Sequence, residues 1–336
     1  MSIPYPQPVQ GMILSGEEAK SSMRGRPPEL GEGLMLLVAV LAVSWAAILT
    51  RSCQGAAPLA ISFWRLAISA ALMAPWALTP LRAWRIDPAQ RVDPEDDGSP
   101  GAPAPGRIQA IAGAAGAGVF LALHFACWIS SLFLTTVASS VVLVAAQPLF
   151  TLGLSPLVLG EKPSRRATAG ILLAFAGAAG IGAGDFALSG AALTGDLLAL
   201  AGAAFASAYL IVGRRLRHGW PLPGYLTAVN ATAALGLGMA ALISGQRLHG
   251  YPAATWARLL ALAIGPNLIG HGLLNAAVRR LPAYVVNMAV LGEPLLASLY
   301  AALLFGEMPG LHLFAGGTLV LGGICLGFDP GRSSPR

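Results

Sequence analysis

Two charged side chains lie in the middle of long apolar segments. Arg65 is the only charged residue of segment 57–79, and Glu293 is the only one of segment 282–306. A charge at the centre of a membrane helix costs about 2.5–3.5 kcal/mol on insertion scales, so each needs a physical reason. Glu293 could bind a cation or take up a proton, or it could pair with Arg65 or with a hydroxyl across a helix contact. Pro294 follows the acid and has no N–H to donate, which predicts a kink there.

Gln147 occupies a comparable position in another apolar segment, also directly before a proline. Helical spacing places Thr136, Ser140, Gln147 and Thr151 on one face of that segment. Such a stripe could line a cavity, or its members could form hydrogen bonds between helices. We favour the cavity for Gln147 and helix packing for the other three.

Asn267, His271 and Asn275 recur at intervals of four and form one polar stripe on an otherwise apolar segment. Because three strong hydrogen-bonding groups facing lipid would be very costly, the stripe is expected to face protein or water. A single membrane histidine is typical of a satisfied bond between helices, whereas a stripe of three favours the path of a bound molecule.

Aromatic side chains repeat with the same spacing at Phe120, His124 and Trp128. Their faces could stack on a cation or on a planar ring, although core packing is the interpretation we favour for Phe120. Trp45 and Tyr209 correspond to each other when the chain is shifted on itself by 164 residues. They could cap a cavity from both halves, or they could be ordinary packing aromatics.

The composition explains why these polar residues stand out. Of the 336 residues, 55% are apolar and 11% are charged, whereas soluble proteins carry about 25% charged residues. So few charges cannot cover a soluble surface, which disfavours a water-soluble enzyme, a disordered chain and collagen. Segments of about 20 apolar residues can cross a bilayer as helices. We therefore predict an all-α, polytopic membrane protein with ten transmembrane helices near 34–51, 57–79, 108–129, 132–159, 166–184, 194–213, 222–244, 255–277, 282–306 and 310–328.

The basic residues alternate along the chain in a way that orients these helices. If the N-terminus is cytoplasmic, 17 of the 21 Lys and Arg fall on the inner side, three fall on the outer side, and Arg65 lies within a span. This bias follows the positive-inside rule and differs from the single basic patch of a nucleic-acid-binding protein. We expect a multi-pass protein of the inner membrane with both termini cytoplasmic, no nucleic-acid partner and the lipid bilayer as its surroundings.

The second half of the chain repeats the first. A shift of 146 residues superposes Pro148 on Pro294 and Glu161 on Glu307. Because each half holds five predicted helices, an odd number, the halves are expected to be inverted relative to each other, with a binding site between them. The predicted organisation is a disordered tail at 1–33, a first repeat at 34–184 with a flexible cytoplasmic insertion at 86–106, a second repeat at 194–328 and a cytoplasmic tail at 329–336.

Two Gly-Glu-x-Pro motifs, at 160–163 and 306–309, mark equivalent span ends in the two halves. A glutamate is inexpensive at the end of a span, and a proline there begins the next helix after a tight turn. We interpret both motifs as structural.

Several of these motifs together resemble the EamA family of the drug/metabolite transporter superfamily. The segments that carry the resemblance to its first repeat are His124-Phe, Trp128, Ala138-Ser-Ser-Val-Val, Gln147-Pro148 and Gly160-Glu161. Those that resemble its second repeat are Pro266-Asn-Leu-Ile-Gly-His-Gly-Leu-Leu-Asn275, Arg279-Arg-Leu-Pro-Ala283, Gly292-Glu-Pro294 and Gly306-Glu307. The resemblance implies two inverted repeats, alternating access and movement of a small metabolite or drug, often outward.

Motifs of other chemistries are missing from the sequence. It contains no phosphate-binding Gly-x-x-x-x-Gly-Lys-Ser/Thr loop, no His-Glu-x-x-His pattern and no Gly-x-Ser-x-Gly elbow, so we expect no cofactor and no metal. We predict a secondary active transporter, not an enzyme, that exports a small metabolite, an amino-acid-like compound or a drug, with proton coupling as one option. The alternatives are a membrane-embedded hydrolase, for which Ser139 or Ser140 with His124 is the best available set, and a channel or non-transporting scaffold.

Overall fold

The computed structural model describes residues 30–83, 107–182, 190–216, 221–305 and 311–328. Most of the predicted tails, the predicted insertion at 86–106 and the motif at 306–309 lie outside the described residues. Every regular element within them is helical: α1 Leu30–Val43, α2 Ala46–Ser52, α3 Pro58–Ala83, α4 Arg107–Ser131, α5 Val137–Val144, α6 Gln147–Val158, α7 Arg165–Gly182, α8 Gly190–Leu216, α9 Leu222–Ile243, α10 Ala253–Leu262, a π-helical segment Ala263–His271, α11 Gly272–Arg280, α12 Ala283–Val290, α13 Glu293–Phe305 and α14 Leu311–Phe328.

The helical segments have the length and composition of membrane spans. Among the described residues, eight are long and apolar enough to cross a bilayer: Leu30–Ser52, Pro58–Ala77, Ile111–Ser131, Val137–Val158, Gly190–Leu216, Leu222–Ile243, Ala253–Arg280 and Ala283–Tyr300. A shorter apolar stretch, Phe314–Phe328, lies in α14. The all-helical, polytopic membrane architecture is thereby confirmed, while the full count of ten crossings stays a prediction.

The first helix begins earlier than the sequence predicted. Residues 30–33, assigned to the disordered tail, already form the first turn of α1. Glu32 in this turn is buried, and its negative charge lies at the helix end that carries the positive pole of the helix dipole.

Two long helical segments are interrupted at matching places. The segment made by α5 and α6 turns at Ala145-Ala146, and the one made by α12 and α13 turns at Leu291-Gly292, which is 146 residues further along. At each turn a backbone N–H reaches the carbonyl three residues back, from Ala146 to Leu143 at 3.1 Å and from Gly292 to Ala289 at 3.0 Å. The prolines just after these turns have no N–H to continue the regular ladder, which is the predicted cause of the kink beside Glu293.

Helices α7 and α14 pack against each other through glycines. A Cβ atom on Gly170 would lie 2.5 Å from the carbonyl oxygen of Gly323, and one on Gly177 would lie 2.6 Å from that of Gly316. Since the partner number falls as the residue number rises, the two helices run antiparallel. The repeat shift of 146 residues equates Gly170 with Gly316 and Gly177 with Gly323, so the contact joins equivalent helices.

Helices α3 and α9 also pack antiparallel. At the beginning of α3, the Trp64 indole Nε1 donates to the carbonyl of Leu248 at 2.7 Å, and the Leu59 N–H donates to Gln246 Oε1 at 3.1 Å, both just beyond the end of α9. The buried apolar side chains form two main clusters, one around Phe125 and Tyr225 and one around Met288.

Candidate functional site

A cavity lies between helices of both halves, and the space free of atoms within it and at its opening amounts to about 580 Å³. Its walls combine apolar side chains with amide, imidazole, phenol and carboxylate groups. The lining residues are Val43, Ala46, His124, Trp128, Val144, Gln147, Ala206, Tyr209, Leu210, His271, Leu274, Asn275, Asn287, Val290 and Glu293.

The structure brings together seven of the ten side chains that the sequence predicted. They are His124, Trp128, Gln147, Tyr209, His271, Asn275 and Glu293. Among the described residues that line the cavity, Glu293 alone is charged, and its side chain is buried. Gln147 and Glu293 each occupy the first position of a helix that starts at one of the two matching interruptions. The remaining three, Arg65, Trp45 and Asn267, lie outside the lining.

Arg65 is fully buried behind the aromatic wall of the cavity. Its guanidinium carbon lies 4.1 Å from the centroid of the Phe125 ring and 5.9 Å from that of Trp128, which places the charge over two aromatic faces. Its three nitrogens have no hydrogen-bond partner within the described part of the chain. Arg65 and Glu293 are close enough for their charges to interact, but these two described residues form no direct salt bridge. The alternative that Glu293 is a structural partner of Arg65 or of a hydroxyl therefore stays a prediction.

The two histidines of the lining face each other. The His124 and His271 ring centroids are 6.4 Å apart with planes inclined by 65°, and the ring of Phe125 meets that of His271 edge-on, with centroids 5.6 Å apart. His124 Nδ1 lies 2.9 Å from the carbonyl oxygen of Gly202. Because a carbonyl only accepts, Nδ1 carries a hydrogen, and Nε2 can accept a hydrogen bond when the ring is neutral. The Trp128 ring lies nearly parallel to that of His124, at 5.9 Å.

Asn275 joins two walls of the cavity. Its Nδ2 donates to Tyr209 Oη at 2.7 Å and to the backbone carbonyl of His271 at 2.7 Å. Its buried Oδ1 has no hydrogen-bond partner among the described residues. The amide oxygen is therefore an acceptor for which the described protein supplies no donor.

Asn267 does not continue the stripe of His271 and Asn275. It lies in the π-helical segment, which contains Pro266, and its Nδ2 donates to Asn230 Oδ1 on α9 at 3.2 Å. The bond to Asn230 directs this amide toward α9, and Asn267 is not among the residues that line the cavity.

Trp45 also lies away from the cavity. Its ring stacks on that of Tyr300, with centroids 4.6 Å apart and planes inclined by 24°. Tyr209 lines the cavity and is bonded to Asn275, so the two aromatics do not form the predicted symmetric cap.

Asn287, which was not predicted from the sequence, also lines the cavity. Its Nδ2 donates to Thr151 Oγ1 at 2.6 Å, and Thr151 in turn lies 3.0 Å from the backbone carbonyl of Gln147. Ser207 of α8 donates to the same carbonyl at 2.6 Å. These bonds connect α6, α8 and α12 around the cavity. A lone amide on an apolar segment six residues before Glu293 is the signal that could have identified it.

The fold and this cavity define a helical membrane protein with a polar site enclosed by both halves of its chain. The sequence model of the EamA-like transporter family matches residues 29–183 and again residues 193–328. The chain therefore belongs to the EamA-like transporter family, which makes it a membrane transporter of the drug/metabolite type and confirms the predicted resemblance.

Known structures agree with this fold. One solved structure, described as "Crystal structure of protein", is similar with a TM-score of 0.68 and 20% sequence identity, over 88% of this chain and 97% of that chain. At this identity the likeness shows the fold alone. No curated protein matches the chain in sequence.

Proposed function

We propose that this protein is a secondary active transporter that exports a small metabolite, an amino-acid-like compound or a drug across the inner membrane by alternating access. The observation that carries the proposal is the position of Glu293, a buried carboxylate at a helix interruption inside a cavity lined from both halves of the chain. A carboxylate in this position can bind a cationic group or exchange a proton, and transporters of inverted-repeat architecture hold their sites between the repeats.

The cavity offers further groups for substrate binding. Nε2 of neutral His124 and Oδ1 of Asn275 are acceptors, and Trp128 presents an aromatic face. Arg65 lies behind this wall and adds a positive charge near Glu293. In the proposal, Glu293 exchanges a proton or a cationic group, and the nearby positive charge favours the release of either from the carboxylate.

The proposed topology consists of two inverted five-helix units at 34–184 and 194–328, with ten crossings and both termini in the cytoplasm. The antiparallel packing of α7 with α14 and of α3 with α9 supports it, since equivalent helices of inverted units run in opposite directions. Single cysteines at two exposed loop positions, Lys162→Cys and His249→Cys, test it by labelling with an impermeant maleimide. We expect Lys162→Cys to react from the cytoplasm and His249→Cys from outside, and reaction from one common side would contradict the topology.

Transport in everted membrane vesicles tests the role of Glu293. Metabolites that accumulate in a deletion strain supply the probes, and their movement is compared for wild type and Glu293→Gln, with and without a pH gradient. The matched control is Asp196→Asn, which changes a carboxylate that binds Ser139 at 2.7 Å outside the cavity lining. We expect Glu293→Gln to abolish gradient-driven transport and Asp196→Asn to retain it. Unchanged transport by Glu293→Gln in both conditions would remove the residue from the mechanism, and recovery of a covalently altered probe would indicate a hydrolase.

A further inference from the structure

Glu161 connects the segment after α6 to the end of α8 and to the beginning of α12. It follows α6 in the chain, within the first Gly-Glu-x-Pro motif. Its Oε1 accepts from Arg214 Nε at 2.7 Å, and its Oε2 accepts from the backbone N–H of Ala283 at 3.1 Å. Ala283 is the first residue of α12, where backbone N–H groups have no helical partner and the dipole favours a negative charge.

Arg214 completes the connection on the opposite side. Its Nη1 donates to the backbone carbonyls of Val278 at 2.6 Å and Arg279 at 3.0 Å. These carbonyls belong to the last turn of α11, where carbonyl groups lack helical partners and a positive charge is favoured. Glu161 and Arg214 therefore satisfy the end of one helix and the beginning of the next, with side chains that are only 16% and 17% exposed.

This cluster lies one helical turn from the cavity on three helices. Arg214 follows the lining residue Leu210 by four positions on α8, Val278 follows Leu274 by four on α11, and Ala283 precedes Asn287 by four on α12. Four helical residues span about 6 Å along the axis. The three helices that form this part of the wall are thus tied together directly beyond it.

The cluster also joins the two halves of the chain. Glu161 belongs to the first match of the family model, whereas Arg214, Val278, Arg279 and Ala283 belong to the second. A movement of one half against the other at this end would break the ion pair and the bond from Ala283 to Glu161, whereas the two bonds from Arg214 to α11 lie within the second half.

We propose that Glu161 and Arg214 form a latch that closes one end of the cavity, the cytoplasmic end in the proposed topology, and that the latch opens when the cavity becomes accessible from that side. The inference rests on the proposed function, in which access alternates between the two sides. The Gly-Glu-x-Pro motif at 160–163 then acts in gating in addition to ending a helix.

Cysteine accessibility in the absence of substrate tests the latch. The probe is a small impermeant methanethiosulfonate reagent with a quaternary ammonium group, and the target is Ala206→Cys in the cavity lining. The background is full-length protein in which the native cysteines Cys53, Cys127 and Cys325 are replaced by Ala. Labelling of the exposed Lys162→Cys identifies the side of the membrane on which the latch lies.

From that side we expect Glu161→Gln and Arg214→Gln each to raise the labelling rate of Ala206→Cys at least about tenfold, which corresponds to about 1.4 kcal/mol. Arg214→Lys should give a smaller increase, because an ammonium keeps the charge but lacks the planar fork that reaches carboxylate and carbonyls together. The matched control is Arg215→Gln, which changes the exposed neighbouring arginine and should leave the rate at the wild-type value.

Unchanged labelling in both Glu161→Gln and Arg214→Gln would overturn the latch, and so would an equal increase in Arg215→Gln. Glu161→Gln keeps the shape of the side chain and an oxygen that can accept from Ala283, so it is the variant least expected to disturb folding. Because labelling needs no substrate, it separates this inference from the proposed function. If the protein transports none of the tested metabolites but the two variants still label faster, the proposed function is refuted and the latch is retained.

Discussion

Gly177 of α7 and Gly316 of α14 lie against each other, and a Cβ atom on either would come within 2.6 Å of the carbonyl oxygen of the other. Lipid tails are as apolar as leucine, so the two helices gain little free energy by burying apolar surface against each other. Close backbone approach supplies the attraction instead, through dispersion over a long contact. These two glycines therefore hold together two helices that neither face the cavity nor carry charge at their contact.

Gly177→Ala is expected to lower the melting temperature of the detergent-purified protein. The free energy of unfolding should fall by about 1–3 kcal/mol, which is typical of overpacking. The reason is that the new methyl group meets backbone, which cannot rotate away. Gly180→Ala on the same helix is the control, because nothing lies within 4 Å of its Cβ position. It should be neutral or slightly stabilising, since alanine has the higher helix propensity. Equal melting temperatures for the two variants would contradict the close contact.

Most of the fold could be predicted from sequence because membrane insertion imposes a simple pattern of long apolar segments. Pro294 also indicated where one of these segments is interrupted, and Pro148 follows the matching interruption, which was not predicted. The π-helical segment was not predictable in the same way. It packs so closely on α1 that a Cβ on Gly270 would lie 2.5 Å from Val43 Cγ1, a contact between residues far apart in the chain.

The site was predictable as a set of residue types but not as a geometry. Burying a polar group in lipid is costly, so polar residues on apolar segments pointed to the cavity whatever their partners. The direction of each side chain depends also on the partner that a neighbouring helix offers, and the amide of Asn267 binds Asn230 on α9. Glu161 was interpreted as structural because its position at a span end gave no indication of the Arg214 partner 53 residues away.

Thr151→Val tests the hydrogen bonds that join α6 to α12. The substitution removes the acceptor of Asn287 Nδ2 while keeping the side-chain volume, so a buried amide loses its partner. We expect a loss of about 1–3 kcal/mol in thermal stability. The double variant Thr151→Val/Asn287→Leu should recover part of it, because no polar group is then left without a partner.

Thr318→Val is the control for this substitution. Thr318 is exposed, and its hydroxyl bonds only the carbonyl of Phe314 on its own helix, at 2.8 Å. The stability of the Thr318→Val protein should stay within about 0.5 kcal/mol of wild type, as for most substitutions of exposed residues. If Thr151→Val/Asn287→Leu were less stable than Thr151→Val alone, this would argue against the hydrogen bond between Asn287 and Thr151.

Arg65→Leu is expected to destabilise the protein through Glu293. The change removes the cation whose charge interacts with the buried carboxylate and also the contact over the Phe125 ring. A buried charged group that loses its partner costs about 1–3 kcal/mol or more. Adding Glu293→Gln should restore at least half of the lost melting temperature, since the second charge is then gone as well.

The matched control is Arg51→Leu, in which an exposed arginine lies 5.7 Å from the centroid of the Phe133 ring. An exposed contact of this kind contributes about 0.5–1 kcal/mol. Arg51→Leu should therefore lower the melting temperature less than Arg65→Leu. If the double variant were no more stable than Arg65→Leu, the two buried charges would be independent of each other.

Cys53, in the turn that follows α2, should react slowly with maleimide, at a rate that rises with pH. Burial of the thiol raises its pKa from 9 to about 11, with a smaller opposing effect of the Arg258 charge. The thiolate is the reactive form, so at neutral pH about a hundredfold less of it is present than for an unperturbed thiol. With Cys127 and Cys325 replaced by Ala, the labelling rate in detergent should increase about tenfold per pH unit from pH 7 to 10.

The control is Gln54→Cys in a Cys53→Ala background, because residue 54 is exposed in the same turn. Its faster labelling should level off near the ordinary thiol pKa of about 8.5. A plateau for Cys53 at that same pH would show that the turn leaves this thiol open to water.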